Sequence, residues 1–407
     1  MLLYGAAFAA AGLTPFILLP VLTKFLSPAE FGEATSFLIL TAMIGNFAGL
    51  SAHGFVAVRY FKSTAGEFKG IVSSSLLCVG AAHLLVLLLV PMLFQELKRW
   101  FDLSPVLVLL AILAAVLVSL NQVFLAIHQS SGKPALYLRA RLVQAALEIF
   151  ICVGLVLTVA ANSSSRVASY VVAMAACVLL GLRYCRRANY LGLAYNKRDA
   201  KALLSFAVPM VPHIMAGTAI TYIDRVMVSS LLGVDTLGIY MVAMQIGMAM
   251  SVLIEPMNKA LAPWLFEQLS KNDDRVNRAV VKSTYLFYAG LVTAGLIVIV
   301  VAQLLFDRVI GVQYAAAKPL VPLMVAGFVF QGMYYTVVNY IFYVERTGSL
   351  SAISTTTATL GSALSYLLIS QFGMAGAGIS FAFTNLVLFV LVWIVASRLV
   401  SMPWLLR

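Results

Sequence analysis

The sequence predicts an all-α polytopic membrane protein of about twelve spanning helices in two six-helix lobes. Three observations predict it. Of 407 residues, 62% are hydrophobic and only 10% are charged, with a mean hydropathy of +0.99; a soluble domain is about 25% charged. Apolar runs recur along the whole chain at the length of a spanning helix, about 20 residues. Lys and Arg gather in alternate connections, as they do between oriented helices. Too little polar surface remains to cover a water-soluble globule. A cytosolic enzyme, a secreted disulfide scaffold and a disordered chain are excluded on that ground.

The apolar runs lie at about 2–23, 33–57, 70–94, 105–127, 142–161, 167–182, 203–231, 238–262, 279–305, 319–343, 350–370 and 374–397. The sixth is short. Pro15 and Pro20, Pro209 and Pro212, and Pro256 fall inside runs. In lipid such breaks persist where neighbouring helices or a cavity satisfy the released backbone groups, and transporters place broken helices around their paths. The chain opens directly into its first apolar run without a basic segment, so a cleaved signal peptide is not expected.

With the N-terminus placed in the cytoplasm, the inside connections hold 19 Lys and Arg and the outside ones 6, while Arg225 and Lys259 lie within spans. Both termini are therefore expected inside. The net charge of +12 serves orientation first and attraction to anionic headgroups or substrates second; nucleic acid is not an expected partner. The most polar connection runs from Arg183 to Lys201. It divides the chain into an N-terminal lobe, 1–182, a cytoplasmic basic linker, 183–202, and a C-terminal lobe, 203–407. A short echo relates the halves. Leu26 to Gly32 follows the first span and Leu232 to Gly238 follows the seventh, each a Leu, a five-residue turn and a Gly opening the next helix. Six helices is an even number, so the repeats are expected to be parallel, about an axis along the membrane normal.

Several chemistries lack their residues. Gly132-Lys133 is followed by Pro134 and has no upstream glycine at P-loop spacing. His53, His83, His128 and His213 are scattered, without metal-ligand spacing. Cys78, Cys152, Cys177 and Cys185 form no CxxC and read as buried small apolar residues. There is no GxSxG, and no outside connection is long enough to house a catalytic loop. No cofactor or metal is expected, and the chain does not read as an enzyme.

The informative residues are charges inside spans, each costing about 2.5–3.5 kcal/mol at a helix centre. Asp224 and Arg225 lie in the seventh span, roughly 10 Å from its outer end. Adjacent helical residues point about 100° apart, so each calls for another helix or a cavity. Glu255 and Lys259 are spaced for an i, i+4 pair around Pro256. Glu148, in the fifth span, shares a face with Arg141. Arg59 ends the second span at the cytoplasmic boundary, and Arg139 flanks the fifth. Each has a plain structural reading as an ion pair or an orienting charge. As a set they leave cations in excess, which suits a substrate bearing phosphate or diphosphate.

Four stretches resemble the polysaccharide transporter family, the Wzx-type flippases of the multidrug/oligosaccharidyl-lipid/polysaccharide exporter superfamily. They are Leu13 to Phe16 with Leu22 to Gly32; Gln129 to Tyr137; Ile223 to Val226 with Leu231 to Gly233 and Leu237 to Tyr240; and Phe372 to Gly378. The family often carries Asn in its eleventh helix, where this chain has Gly361 and Ser365. The resemblance implies two lobes around a central cavity and alternating access. The substrate would be an undecaprenyl-diphosphate-linked oligosaccharide for O-antigen, capsule or exopolysaccharide assembly, and the site the bacterial inner membrane. A proton or sodium gradient is the candidate energy source. Partners would be the lipid-linked oligosaccharide, membrane lipids, and a polysaccharide polymerase with its chain-length regulator. The cavity candidates are Arg225, Asp224, Arg59, Lys259, Glu255, Arg141 and Glu148. Two other readings stand beside this one: a drug/cation antiporter of the same superfamily, which would want net acid in its cavity, and a membrane-embedded glycan polymerase or ligase.

Overall fold

The computed structural model describes residues 2–192, 195–271, 273–344 and 346–404, without the side chains of residues 2–11, 65, 212, 213, 216, 347 and 351. Arg407 and the side chains of Pro212 and His213, used in the sequence argument, lie outside that set. The described residues form thirteen α-helices and two 3-10 segments, with no strand. The helices are α1 (Leu2–Phe25), α2 (Pro28–Ala48), α3 (Ala52–Tyr60), α4 (Ala65–Phe101), α5 (Pro105–Ser130), α6 (Pro134–Thr158), α7 (Ser163–Arg187), α8 (Lys197–Ala207), α9 (Val211–Leu232), α10 (Val234–Ser270), α11 (Asp274–Val309), α12 (Val321–Tyr343) and α13 (Thr347–Leu399). Nine helices among the described residues are long and apolar enough to cross a membrane. The protein is a multi-pass membrane protein of all-α fold. The twelve apolar runs fall on α1, α2 with α3, α4, α5, α6, α7, α8 with α9, α10, α11, α12 and the two limbs of α13.

Local chemistry sets the helix ends. Ser27 and Thr64 begin α2 and α4 with capping boxes closed by Glu30 and Glu67, which satisfy otherwise orphaned N–H groups. Ser104, Asn162 and Asp273 cap α5, α7 and α11 through their side chains. Gly233, at φ 94°, separates α9 from α10, a conformation glycine adopts at little cost. At 53 residues, α13 would run to about 80 Å if straight, against a hydrocarbon core of about 30 Å. Gly373, at φ 58° and ψ −136°, breaks it into two limbs.

The breaks differ from those the prolines suggest. Pro15 and Pro20 sit inside a continuous α1, and Pro256 and Pro263 inside a continuous α10. Pro209 does mark a break, a 3-10 turn over Val208–Met210 between α8 and α9. The other interruption, between α2 and α3, comes where Leu50 and Ser51 take left-handed backbone at φ 52° and 46°. α7 is also a full helix, because its polar first turn is capped by Asn162 and its Arg166 is neutralised.

The described chain forms two compact units, Met1–Tyr222 with Gly233–Gly238, and Ile223–Leu232 with Ile239–Arg407. In the first, α5 is central and packs on α2, α3, α4 and α7, burying Phe55, Val72, Phe124 and Ile127. Gly181 lets α7 approach α5 closely; a Cβ there would stand 2.3 Å from the Phe124 ring. Small residues drive such approaches in lipid, where apolar burial gives helices no reason to associate. The segment 183–202 holds the end of α7, a non-helical stretch and the start of α8. Its middle is tied to α4: Gly192 N–H donates to Ser73 Oγ at 2.9 Å, Asn196 N–H to Ser74 Oγ at 3.0 Å, and Lys69 Nζ to Asn189 Oδ1 at 2.8 Å.

The two echoed turns meet inside this first unit. A Cβ on Gly32 would lie 1.9 Å from the Val234 carbonyl oxygen, and one on Gly238 would lie 2.0 Å from that of Pro28. Gly32 corresponds to Gly238 in the echo and Pro28 to Val234, so the contact is reciprocal, as between equivalent patches about a two-fold axis.

In the second unit α12 packs on α11 and α13. Gly327 receives the Phe381 ring, and Gly332 faces Leu291 and Ile254. Tyr288, Phe389, Trp393 and Trp404 form an aromatic cluster, edge-to-face except for the tilted Phe389–Trp393 contact. Outer faces are apolar: Leu88 and Met92 on α4 are 66% and 80% exposed, and Leu286 and Leu304 on α11 are 74% and 71%. Such belts suit hydrocarbon and would be a liability in water.

Candidate functional site

In the first unit the buried charges are organised around α6 and α7. Arg166 Nη2 donates to Glu148 Oε1 at 2.7 Å, with both side chains 9% exposed. The guanidinium also lies over the Tyr170 ring, 6.0 Å from its centroid. One helix supplies the carboxylate and the next the cation, so the pair joins α6 to α7. The Arg141–Glu148 pairing that the shared face suggests does not form. Seven residues span roughly 10 Å of helix axis, and Glu148 instead reaches across to α7. Arg141 lies over the Tyr137 ring at 5.8 Å. Near the start of α7, Ser163 Oγ donates to the Glu33 carboxylate of α2. Arg166, one of the six Lys and Arg that the sequence count assigns to outside connections at the flank of a span, is buried, and only the folded chain reveals its partner.

Arg59 ends α3, with its guanidinium 5.3 Å from the Phe55 centroid. It lines a polar cavity of about 300 Å³ with Lys62, Arg198, Glu67, Asp199 and Asn196. Three cations face two carboxylates there. In the neighbouring stretch between α7 and α8, burial, followed by the Tyr60 hydroxyl beside it, pushes the Tyr190 phenol up to about 12.

In the second unit Asp224 and Arg225 sit on α9, both buried. Arg225 Nη1 lies 3.8 Å from Asp224 Oδ1. Asp224 Oδ2 accepts a 2.6 Å hydrogen bond from the Tyr240 hydroxyl of α10. Tyr240 is itself fully buried. The sequence singled out the charges and missed this phenol, although it stands in the same hairpin motif. Glu255 and Lys259 share a face of α10, the acid half-buried and the lysine exposed, and Lys259 acts electrostatically on Glu255. One turn from Glu255, Asn258 Oδ1 accepts from Asn339 Nδ2 of α12 at 2.9 Å. Of the seven candidates, Arg59, Arg141 and Glu148 belong to the first unit and Asp224, Arg225, Glu255 and Lys259 to the second. Among the described residues, no group of three or more His, Cys, Asp or Glu could hold a metal ion. Cys152, Cys177 and Cys185 are buried and unbridged.

Comparison with known proteins agrees with this architecture. Residues 3–269 match the family described as "Polysaccharide biosynthesis protein". An uncharacterized membrane protein of Haemophilus influenzae is 26% identical over 361 residues, 85% of this chain and 83% of the relative. Among solved structures, the lipid II flippase MurJ in an inward closed conformation superposes with a TM-score of 0.75 at 13% identity, covering 97% of this chain and 87% of that one. A multidrug resistance MATE family transporter of the MOP superfamily, inward-facing, gives 0.74 at 12% identity over 97% and 94%. At such identities the likeness speaks for the fold, and the two structures share it equally. The chain belongs to the polysaccharide biosynthesis protein family, with the fold of the MOP-superfamily transporters.

Proposed function

We propose that this protein is a flippase that moves undecaprenyl-diphosphate-linked oligosaccharide units across the bacterial inner membrane by alternating access, for O-antigen, capsule or exopolysaccharide assembly. The observation that carries the proposal is the family match over residues 3–269, on a fold shared with the lipid II flippase MurJ. The excess of cations supports it, because a diphosphate headgroup meets guanidinium and ammonium groups favourably. Arg59, Arg141 and Lys259 are partly or well exposed and could receive such a group directly. Arg225 is 7% exposed, so a role for it requires a rearranged conformation. A gradient of protons or sodium is the proposed energy source, and both termini are proposed to be cytoplasmic, from the 19-to-6 distribution of Lys and Arg.

A drug/cation antiporter is the second reading, favoured only by the equal likeness to a MATE transporter. A deletion strain separates the two. The flippase reading expects lipid-linked oligosaccharide to accumulate on the inner leaflet and surface glycan to fall, with drug tolerance unchanged. Normal surface glycan with increased drug sensitivity would replace it by the antiporter.

A further inference from the structure

A second cavity, of about 330 Å³, lies wholly in the first unit, between α5, α6 and α7. Each helix contributes one stripe at helical spacing: Asn121, Phe124, Leu125 and His128 from α5; Leu136, Arg139, Ala140 and Val143 from α6; Cys177 to Arg187, on one face, from α7. We infer that this cavity is a binding site for the phosphate-bearing headgroup of an anionic glycerophospholipid, separate from the path of the transported glycan.

Charge is the first argument. Arg139, Arg183 and Arg187 converge on the cavity and no carboxylate lines it. All three are exposed, and none forms an ion pair among the described residues. Guanidinium groups in that arrangement match the oxygens of one phosphodiester. The floor is the second argument. His128 is 7% exposed and its Nδ1 is buried without a hydrogen-bond partner, while its ring is held 4.4 Å from that of Tyr184. A buried polar atom of this kind is rarely left unsatisfied in a native protein, and a headgroup hydroxyl or bridging water would complete it. The rim is the third. Leu136, Val143 and Leu180 line the cavity, Leu180 is 52% exposed, and Leu142 and Leu179 beside it are 48% and 66% exposed. Acyl chains would therefore leave the site along a lipid-facing surface.

The contrast with the Arg59 cavity sharpens the choice. There the three cations are offset by Glu67 and Asp199, and Ile71 and Ala202 are the apolar lining. Of these two cavities, the α5–α7 one pairs uncompensated cations with an apolar exit. Its volume lies at the small end of ligand sites, which suits one headgroup and not an oligosaccharide. Basic pockets between spanning helices are a recognised way of holding anionic lipid headgroups.

The test is native mass spectrometry of the purified full chain. The protein is equilibrated at equal concentrations with palmitoyl-oleoyl phosphatidylglycerol, its phosphatidylcholine counterpart, undecaprenyl phosphate and inorganic phosphate in separate arms. One phosphatidylglycerol should be retained per chain in preference to phosphatidylcholine, and millimolar inorganic phosphate should not displace it. Combining Arg139→Gln, Arg183→Gln and Arg187→Gln should weaken retention on the order of 100-fold. Combining Arg275→Gln, Arg278→Gln and Lys282→Gln, an equal loss of charge in the other unit, should change it less than twofold. If the first triple variant does not melt like the parent, Arg183→Gln alone should still weaken retention about fivefold. Equal retention of both phospholipids, displacement by inorganic phosphate, or identical behaviour of the two triple variants would overturn the inference. Retention of undecaprenyl phosphate with exclusion of phosphatidylglycerol would overturn it too, assigning the cavity to the carrier lipid.

Discussion

Glu148–Arg166 and Asp224–Arg225 are each one acid and one arginine, buried to the same degree, yet they differ in almost every other respect. The first pair is drawn from α6 and α7, eighteen residues apart, and meets at 2.7 Å. The second consists of neighbours on α9 at 3.8 Å, with the acid's other oxygen already engaged by Tyr240. A buried ion pair offsets its desolvation only when the geometry is close and the remaining polar groups are hydrogen-bonded. Glu148–Arg166 meets the distance condition and so behaves as a clasp between helices. In the other pair the closest partner of the carboxylate is a phenol. Equal burial and equal charge therefore do not imply equal roles; the element each partner comes from decides.

The largest effect should come from breaking the clasp. Glu148→Ala leaves Arg166 charged and buried, which costs about 3–5 kcal/mol. We expect a sharp fall in membrane abundance and a much lower melting temperature in detergent. Replacing both partners, Glu148→Leu with Arg166→Met, should restore most of the loss, since apolar pairs of similar volume are often neutral or better than buried ion pairs. If the double variant still exported glycan, the clasp would be structural only. If it folded but failed to export, the charges would have a transport role.

How much of this was legible in the sequence follows from the same contrast. Spans were legible because twenty apolar residues have a single destination. The charges in them were legible as anomalies. Partners were not: helix periodicity joins Glu148 to Arg141, whereas the carboxylate's partner stands on another helix, at the end of a turn whose course no local pattern fixes. For the same reason Arg166 looked like a flank and shortened α7 on paper. Proline misled in a related way. In a helix packed on others, the carbonyl it orphans can be accommodated, so Pro256 leaves α10 continuous, while the non-proline residues Leu50 and Ser51 end a helix through left-handed backbone. Tyr240 was hidden because a phenol in an apolar run reads as core until its hydroxyl is seen to have an acid beside it.

An intermediate effect is expected at Arg225. Arg225→Ala leaves Asp224 its Tyr240 hydrogen bond, so stability should fall less than in Glu148→Ala, by about 1–3 kcal/mol. If Arg225 meets the diphosphate during transport, Arg225→Ala abolishes export at near-normal abundance, and Arg225→Lys, keeping the charge without the bidentate fork, retains part of it. Export and abundance falling together would make this pair a second clasp. Normal export with Arg225→Ala would remove it from the substrate path.

The smallest effect should come from Tyr240→Phe, and it probes the comparison most finely. The substitution removes one oxygen and keeps the ring, so the fully buried packing of Tyr240 survives and no large cavity forms. What is lost is the 2.6 Å hydrogen bond to Asp224. A hydrogen bond to a charged group contributes about 1.5–3 kcal/mol, but the vacated carboxylate oxygen can be drawn toward Arg225, whose Nη1 already lies 3.8 Å from its twin. Relaxation of that kind recovers part of the loss, and a net decrease of about 1 kcal/mol is expected. Combining Tyr240→Phe with Arg225→Ala gives a double-mutant cycle. If the phenol and the guanidinium share the carboxylate, the double variant should lose more than the sum of the singles, because Asp224 then keeps neither partner. Additive losses, read from melting of the four purified proteins, would mean that Tyr240 alone holds Asp224 and that Arg225 answers to something else.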